Sequence, residues 1–175
     1  MEYIELKTEM INRELFAHFK RYQIVSQCWR KIEDKWCIED IAFTDDWDEN
    51  NYSKLIACLR NTVTEGGVVF GAFADGLLKG FSSVEPALFG KSSEYLDLSS
   101  IHVSEDMRSC GIGKELFRLS KEWAKRHGAQ KLYISAHSSV ESQAFYRAMG
   151  CVEALEYNKS HVTEEPYDCQ LECQL

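Results

Sequence analysis

The sequence contains few features that would divide it into separate domains. Only two prolines, Pro86 and Pro166, occur among the 175 residues, and no stretch rich in proline, glycine or serine divides the sequence. We therefore predict one domain that spans residues 1–175, which is long enough to bury a hydrophobic core. Internal repeats and low-complexity segments are also absent.

No apolar run is long enough to span a bilayer, and the N-terminus carries no basic and apolar leader and no lipidation signal. These absences predict a cytoplasmic protein without a membrane partner. Basic residues are scarce too, since 20 Lys and Arg stand against 28 Asp and Glu, for a formal net charge of −8. A general nucleic-acid binder needs a basic face, so the charge argues against nucleic acid as a partner.

Paired C-x-x-C spacings are missing, and the seven cysteines are an odd number. Zinc sites and disulfide frameworks usually show regular pairing of cysteines, so we expect neither a metal site nor a disulfide scaffold. Buried, reduced thiols in a cytosolic protein are the simplest account of these residues.

Two well-known phosphate-binding loops are absent. A dinucleotide-binding fold needs G-x-G-x-x-G, but Leu116 stands where the third glycine belongs, and no segment matches the Walker pattern G-x-x-x-x-G-K-[ST]. The sequence does contain Arg108-Ser109-Cys110-Gly111-Ile112-Gly113-Lys114, which we call the glycine turn. It lies between a predicted strand over Leu96–Val103 and a strongly amphipathic helix.

The glycine turn has the chemistry of a diphosphate site. The first amides of a helix have no partner within the helix, and the helix dipole adds partial positive charge at that end. Gly111 and Gly113 would allow a diphosphate to approach the main chain closely, and Arg108 and Lys114 add two full charges. On the turn alone, a strand-to-helix connection with glycines for geometry is the alternative.

Hydrophobic periodicity predicts a mixed α/β chain. The predicted helices cover about Thr8–Phe19, a segment carrying Tyr52 to Val63, Gly111–Arg126, and a segment capped by Ser139 that ends at Gly150. The buried face of the third helix is predicted to hold Ile112, Leu116, Phe117, Ser120, Trp123 and Ala124. The predicted strands are Gln23–Lys31, Lys35–Ala42, Val68–Ala74, Leu77–Glu85, Leu96–Val103, Lys131–Ala136, Cys151–Tyr157 and a half-buried Tyr167–Leu175.

The order of elements from residue 50 onward, about 125 residues, resembles the fold of the GNAT N-acetyltransferase superfamily, in its bacterial type. That fold is a mixed central sheet flanked by helices, here with an N-terminal helix and hairpin extension. The R-x-x-G-x-G pattern at 108–113 resembles the family's motif A, which holds the diphosphate of acetyl-coenzyme A. The segment 144–151 resembles motif B, F-Y-x-x-x-G-F, with Cys151 in place of the final phenylalanine.

The resemblance implies an N-acyltransferase that uses acetyl-coenzyme A, but no metal, to acetylate an amine by direct attack on the thioester. The backbone of Ile101 and Val103 would pair with pantetheine, and Tyr146 would donate a proton to the sulfur as the catalytic residue. Ser139 stands where many members have an asparagine that binds the coenzyme arm. The residues implied to bind acetyl-coenzyme A are Ile101, His102, Val103, Arg108, Ser109, Cys110, Gly111, Ile112, Gly113, Lys114, Ser139 and Tyr146.

The general base stays open at this stage. Some members carry a glutamate on the strand before motif B, but Lys131–Ala136 has no carboxylate. Glu85, Asp97, His102 and His137 are candidates, and a water chain or an already neutral acceptor would need no protein base.

The acceptor is an amine of a small molecule or a peptide, whose identity the sequence does not reveal. The tryptophans Trp29, Trp36 and Trp47, with the acidic run Asp45–Glu49, have side chains suited to a cationic amine, although a solvated helix start beside core tryptophans accounts for them better. The rival function is a non-catalytic acyl-coenzyme A sensor, because fold does not settle function. The edge of the C-terminal strands also predicts a possible homodimer.

Overall fold

The computed structural model describes all 175 residues, which form nine strands and four α-helices. The helices are α1 (Glu49–Thr64), α2 (Ile112–Arg126), α3 (Val140–Ala148) and α4 (Lys159–Glu164). The strands are β1 (Glu2–Glu5), β2 (Tyr22–Ile32), β3 (Lys35–Asp46), β4 (Val68–Ala74), β5 (Leu77–Val84), β6 (Tyr95–Val103), β7 (Lys131–Ala136), β8 (Val152–Glu153) and β9 (Cys169–Gln174).

Seven strands form the main sheet, in the order β1-β4-β5-β6-β7-β9-β8. Neighbouring strands are antiparallel except β6 and β7, which run parallel. A parallel pair needs a crossover connection, which α2 supplies. The mixed sheet with helices on both faces confirms the predicted fold class.

The strands β2 and β3 form a separate hairpin. Its turn residues Glu33 and Asp34 both have positive φ, 46° and 62°, as a type I′ turn requires. The predicted N-terminal hairpin is therefore confirmed, although its second strand reaches Asp46 rather than ending at Ala42.

The predicted first helix over Thr8–Phe19 is wrong. The segment instead forms two short 3₁₀ turns, Thr8–Met10 and Glu14–Phe16. Between them, the Asn12 side chain accepts a hydrogen bond from the backbone N–H of Leu15 (3.0 Å), and such a local bond competes with helical hydrogen bonding. The four-residue strand β1, which pairs with β4, is too short for its periodicity to be recognised.

The predicted strand over Cys151–Tyr157 is too long, because only Val152–Glu153 pairs in the sheet. The helix α4, which was not predicted, follows. Asn158 begins it, and its side chain accepts a hydrogen bond from the Ser160 backbone N–H (3.0 Å). The Asn158 backbone N–H also donates to the hydroxyl of Tyr133 (2.9 Å), so the chain leaves the sheet edge to pack across one face.

The last strand was expected to be half-buried, but β9 is covered on both faces. Its polar residues Gln170 and Glu172 are buried and have partners inside the protein. Tyr133 donates a hydrogen bond to Gln170 (2.5 Å), and Tyr95 donates one to Glu172 (2.5 Å). The ammonium of Lys131 lies 3.1 Å from Glu172. The alternating pattern therefore reflects buried polar contacts, not one face in solvent.

Helix α2 buries the face that its sequence predicted. Its buried residues are Ile112, Leu116, Phe117, Ser120, Trp123 and Ala124, which pack in the larger core on one face of the sheet. Helix α1 and the N-terminal turns pack in a second core on the other face. None of the helices is both long enough and apolar enough to cross a membrane.

We predict that Leu116→Ala lowers the free energy of unfolding by about 2–5 kcal/mol, because this side chain is fully buried under the sheet and its loss leaves a cavity. Leu155→Ala is the matched control: its side chain is 81% exposed, so the loss should stay below about 0.5 kcal/mol. Urea unfolding of both variants measures the difference. Similar losses in the two variants would contradict the assigned core.

Candidate active site

The strands β6 and β7 separate after a short parallel stretch. They pair only between 95–97 and 131–133, after which β6 follows β5 and β7 follows β9. A bulge at Ser99 shifts the register of β6 against β5, and a bulge bends the strand that carries it. The result is a V-shaped cleft in the middle of the sheet.

Main-chain groups of β6 face this cleft without a strand partner. Ser104 N–H donates to Lys79 C=O (2.9 Å), which sets the phase of hydrogen bonding along the antiparallel β5–β6 pair. Because hydrogen-bonded and non-bonded pairs alternate, His102 is bonded to β5, while Ile101 and Val103 direct their N–H and C=O groups towards the cleft. The resemblance to the GNAT family implied that the backbone of these two residues pairs with pantetheine.

A cavity of about 950 Å³ fills the cleft and continues over the start of α2. It brings most of the sequence-predicted coenzyme residues together. Those that line it are Ile101, His102, Val103, Arg108, Ser109, Gly111, Ile112, Gly113, Lys114 and Tyr146.

Two of the predicted coenzyme residues do not line the cavity. Cys110 is exposed on the turn, with its thiol 3.6 Å from the carbonyl of Arg108. Ser139 is fully buried, and its hydroxyl caps α3 by accepting a hydrogen bond from the Ser142 backbone N–H (3.3 Å). Its hydroxyl also lies 3.3 Å from the side-chain amide of Gln23.

The glycine turn has the geometry of an anion site. Gly111, with φ of 81°, immediately precedes α2, so the amides of the first turn of the helix point out of it. A side chain at Gly113 would place Cβ 3.2 Å from the ring of Phe145, so this position is closely packed. Arg108 donates a hydrogen bond to the Tyr22 carbonyl (2.5 Å), which ties the turn to the hairpin. Lys114 is exposed at the mouth of the cavity.

Tyr146 is a buried tyrosine whose hydroxyl has no hydrogen-bond partner in the protein. The other buried tyrosines, Tyr52, Tyr95 and Tyr133, each donate to a neighbour. Tyr146 lines the cavity instead. Burial, together with the nearby Cys151 and Asp168, raises its pKa, so the phenol is protonated at neutral pH and its O–H can be donated to a ligand.

Two of the four base candidates have partners elsewhere and do not line the cavity. Glu85 accepts hydrogen bonds from Thr62 (2.8 Å) and Ser99 (2.6 Å). Asp97 is 9% exposed, and its carboxylate lies 2.7 Å from Nε2 of His161. Both carboxylates therefore lie outside the cavity, away from a substrate bound in it.

The two histidine candidates do line the cavity, but burial makes them weak bases. His102 packs against Trp47 with ring centroids 4.8 Å apart, and burial lowers its pKa to about 3. Burial also lowers the pKa of His137, partly offset by the charge of Asp45. Both rings are neutral at pH 7, and each has little tendency to take a proton.

Asp168 is a carboxylate of the cavity wall that no sequence pattern had indicated. It precedes β9, and the pairing of β9 with β7 places its carboxylate beside Ser135, whose hydroxyl donates to it (3.2 Å). Burial raises the pKa of Asp168 to about 6. Glu165 lines the same cavity but is exposed. No motif marks this segment, and only the strand register reveals its position.

The suggested acceptor residues fall into separate places. Trp47 lines the cavity, and Asp45 does so while paired with Arg21 (2.5 Å). Asp48 caps α1, which is the structural role expected of the acidic run. Trp29 and Trp36 instead line a second cavity of about 560 Å³ between the hairpin and the segment from 157 to 170, and Asp168 lines both cavities.

The His, Cys, Asp and Glu side chains form no group of three or more that could hold a metal ion. All seven cysteines are free, and Cys28, Cys151, Cys169 and Cys173 are buried. The cavity is lined by backbone amides, hydroxyls, carboxylates, aromatic rings and the cationic side chains of Arg21, Arg108 and Lys114.

Comparisons with known proteins agree with this geometry. The model of the acetyltransferase (GNAT) family matches residues 22–151. No curated protein sequence matches the chain significantly.

Solved structures share the fold along the whole chain. A protein from Bacillus anthracis str. Ames, named a streptothricin acetyltransferase and crystallised with acetyl coenzyme A, has a TM-score of 0.74 at 16% identity, covering 100% of this chain and 99% of that one. Nourseothricin acetyltransferase has a TM-score of 0.65 at 18% identity (98% and 95% covered). PaiA N-acetyltransferase from Thermoplasma acidophilum, in complex with coenzyme A, has a TM-score of 0.60 at 14% identity (99% and 98% covered).

The family match spans both the glycine turn and the segment that carries Tyr146, and the structural likeness extends over the complete chain. Enzymes of this kind take the acetyl group from acetyl-coenzyme A and need no metal. The chain belongs to the GNAT acetyltransferase family.

Proposed function

We propose that the chain, acting as one catalytic domain, is an N-acetyltransferase in which an amine attacks the thioester of acetyl-coenzyme A directly. One observation carries the proposal: the cleft between β6 and β7, the start of α2 and the unpaired hydroxyl of Tyr146 all open onto one cavity. Because all seven cysteines are free, we expect the reaction to take place in the reducing cytoplasm.

In the cleft, the coenzyme would take the place of a pairing strand. The amide groups of pantetheine would bond to the free N–H and C=O groups of Ile101 and Val103, as a neighbouring strand would. The diphosphate would accept hydrogen bonds from the amides at the start of α2, where the helix dipole favours an anion. Lys114, exposed at the same end, would add a positive charge.

Tyr146 supplies the proton that the leaving thiolate needs. A phenol has an ordinary pKa of about 10 and a thiol one of about 8.5. Burial raises the pKa of Tyr146, and removal of the thiol from water in the same cavity raises the pKa of the thiol as well. The tyrosine therefore enters the reaction protonated, and backbone N–H groups near Ile101 and Val103 would stabilise the oxyanion that precedes release of the thiol.

The acceptor that fits this cavity is an amine that is cationic in solution. Asp168, Glu165 and Trp47 form part of the wall, and carboxylates beside an aromatic ring attract a cation. Two proteins of similar fold are named for acetylating streptothricin and nourseothricin. At their low identity this likeness concerns the fold, so our proposal rests on the chemistry of the wall and includes both small molecules and peptide amines.

We predict that Gly111→Val lowers affinity for acetyl-coenzyme A by at least about tenfold (~1.4 kcal/mol), because the new side chain occupies the approach of the diphosphate. Gly76→Val is the matched control. Both glycines have positive φ, 81° and 76°, and open space where Cβ would lie, so both substitutions strain the backbone alike. Gly76, however, lies in the distant β4–β5 turn. Titration calorimetry that finds the same affinity in both variants would place the diphosphate elsewhere.

We predict that Tyr146→Phe lowers kcat by about 10²-fold or more while acetyl-coenzyme A still binds, because only the proton donor is lost. Tyr167→Phe, at a ring that is 70% exposed, serves as the control. Thiol release in the presence of an amine panel measures turnover, and calorimetry measures binding. A wild-type protein that binds acetyl-coenzyme A but acetylates no amine would support the rival function, a sensor of acyl-coenzyme A.

A further inference from the structure

We propose that Asp168 is the catalytic base of this reaction: its carboxylate binds the ammonium group of a primary amine and takes its proton. The inference rests on the proposed function and adds to it the binding site of the reacting nitrogen. Neither of the two family motifs contains this residue.

The first support is position. Asp168 and Tyr146 line the same cavity, and they are close enough that the charge of the carboxylate contributes to the raised pKa of the phenol. Ser135 and Ala136 of β7 pair with Gln170 and Cys169 of β9, so the carboxylate before β9 reaches the end of β7 that borders the cleft. A hydrogen bond from Ser135 (3.2 Å) orients it.

The second support is that the other titratable groups near the cleft lie outside the cavity, are paired, are weak bases or are exposed to solvent. The cavity carboxylates Glu141 and Glu165 are of the exposed kind. Glu85 and Asp97 lie outside the cavity, and Asp45 is paired with Arg21. His102 and His137 are kept neutral by burial. Asp168 is a half-buried cavity carboxylate that forms no ion pair.

The surroundings of Asp168 give it suitable basicity. Burial raises its pKa to about 6, and the charge of Glu165 acts in the same direction. The hydrogen bond from Ser135 on β7 and the charges of His161 on α4 and Arg30 on β2 act in the opposite direction. The carboxylate is therefore ionised at pH 7, yet it takes a proton more readily than an ordinary aspartate.

The proton balance of the reaction needs two acceptors. The ammonium gives its first proton to Asp168, and the neutral nitrogen then forms a bond to the thioester carbonyl carbon. As the carbon–sulfur bond breaks, the leaving thiolate takes the proton of Tyr146. The nitrogen then gives its second proton to the tyrosinate, which restores the phenol. Asp168 releases its proton to solvent, so one ammonium ion and one acetyl-coenzyme A give one amide, one thiol and one proton.

The test compares ethylamine with methoxyamine, which have nearly the same shape but differ in basicity. Ethylamine is an ammonium ion at neutral pH and needs a base, whereas methoxyamine is already neutral. We expect Asp168→Asn to lower kcat/KM for ethylamine about 10²-fold or more and to leave methoxyamine turnover nearly unchanged. Glu164→Gln removes the same charge from the neighbouring helix α4, where Glu164 is exposed and lines neither cavity, and it should change neither rate substantially.

The pH profile gives a second readout. Wild-type kcat/KM with ethylamine should fall below about pH 6, where Asp168 becomes protonated, and Glu164→Gln should keep this acidic limb. If Asp168→Asn lowered kcat/KM equally for both amines, the role of Asp168 would be structural and the proposal would be overturned. The proposal would also be overturned if the wild type acetylated ethylamine and Asp168→Asn did so at the same rate. Failure of the wild type to acetylate either amine would refute both this inference and the proposed function.

Thermal unfolding tests the basicity of Asp168 without substrate or turnover. A carboxyl whose pKa is higher in the folded state than in the unfolded state destabilises the fold above that pKa. Asp168→Asn should therefore unfold at a higher temperature than wild type at about pH 8, and the difference should shrink towards about pH 4. A lower melting temperature of the variant at about pH 8 would contradict the assigned environment.

Discussion

The structure depends on one constraint: β6 pairs with β7 at one end and leaves it at the other. The bulge at Ser99 bends β6 towards β5, while β7 stays paired with β9. This single departure opens the middle of the sheet, exposes main-chain groups of Ile101 and Val103, and brings the start of α2 to the mouth of the gap. Every contact that we assign to the coenzyme follows from it.

The closed end of the cleft is held by a buried polar cluster that spans three strands. Glu172 of β9 accepts a hydrogen bond from Tyr95 of β6 and lies 3.1 Å from Lys131 of β7. A buried ion pair adds little net stability, because removing the charges from water offsets their attraction. Its hydrogen bonds do fix which strands lie side by side. The strands are thus joined firmly where they must meet and are free where a ligand enters.

The sequence predicted the parts of the fold that local pattern controls. The buried face of α2 matches its 3.6-residue periodicity residue for residue, and the glycine turn lies where strand and helix signals meet. The helix predicted over Thr8–Phe19 was wrong for the opposite reason. Ile11, Phe16 and Phe19 are all buried, but they are buried by contacts with distant residues, and such contacts do not require helical spacing.

The candidate site could be inferred from the sequence only where its residues lie in contiguous motifs. Tyr146 and the glycine turn were found because family patterns contain them. Ser139 was singled out by position in such a pattern, yet its hydroxyl is used inside the fold to cap α3. Asp168 was missed because its place depends on the register between β7 and β9, and register is a property of two distant segments that no local pattern records.

The position of Asp168 between two cavities has an evolutionary consequence. Under the proposal that Asp168 holds the amine, the second cavity, which Trp29 and Trp36 of the hairpin line, would adjoin the acceptor. Those side chains are carried by β2 and β3, which are separate from the main sheet. Changes at Trp29 and Trp36, which do not line the coenzyme cavity, would then alter which amines are accepted while the residues that we assign to acetyl transfer stay unchanged. New substrates would thus be acquired without rebuilding the proposed catalytic centre.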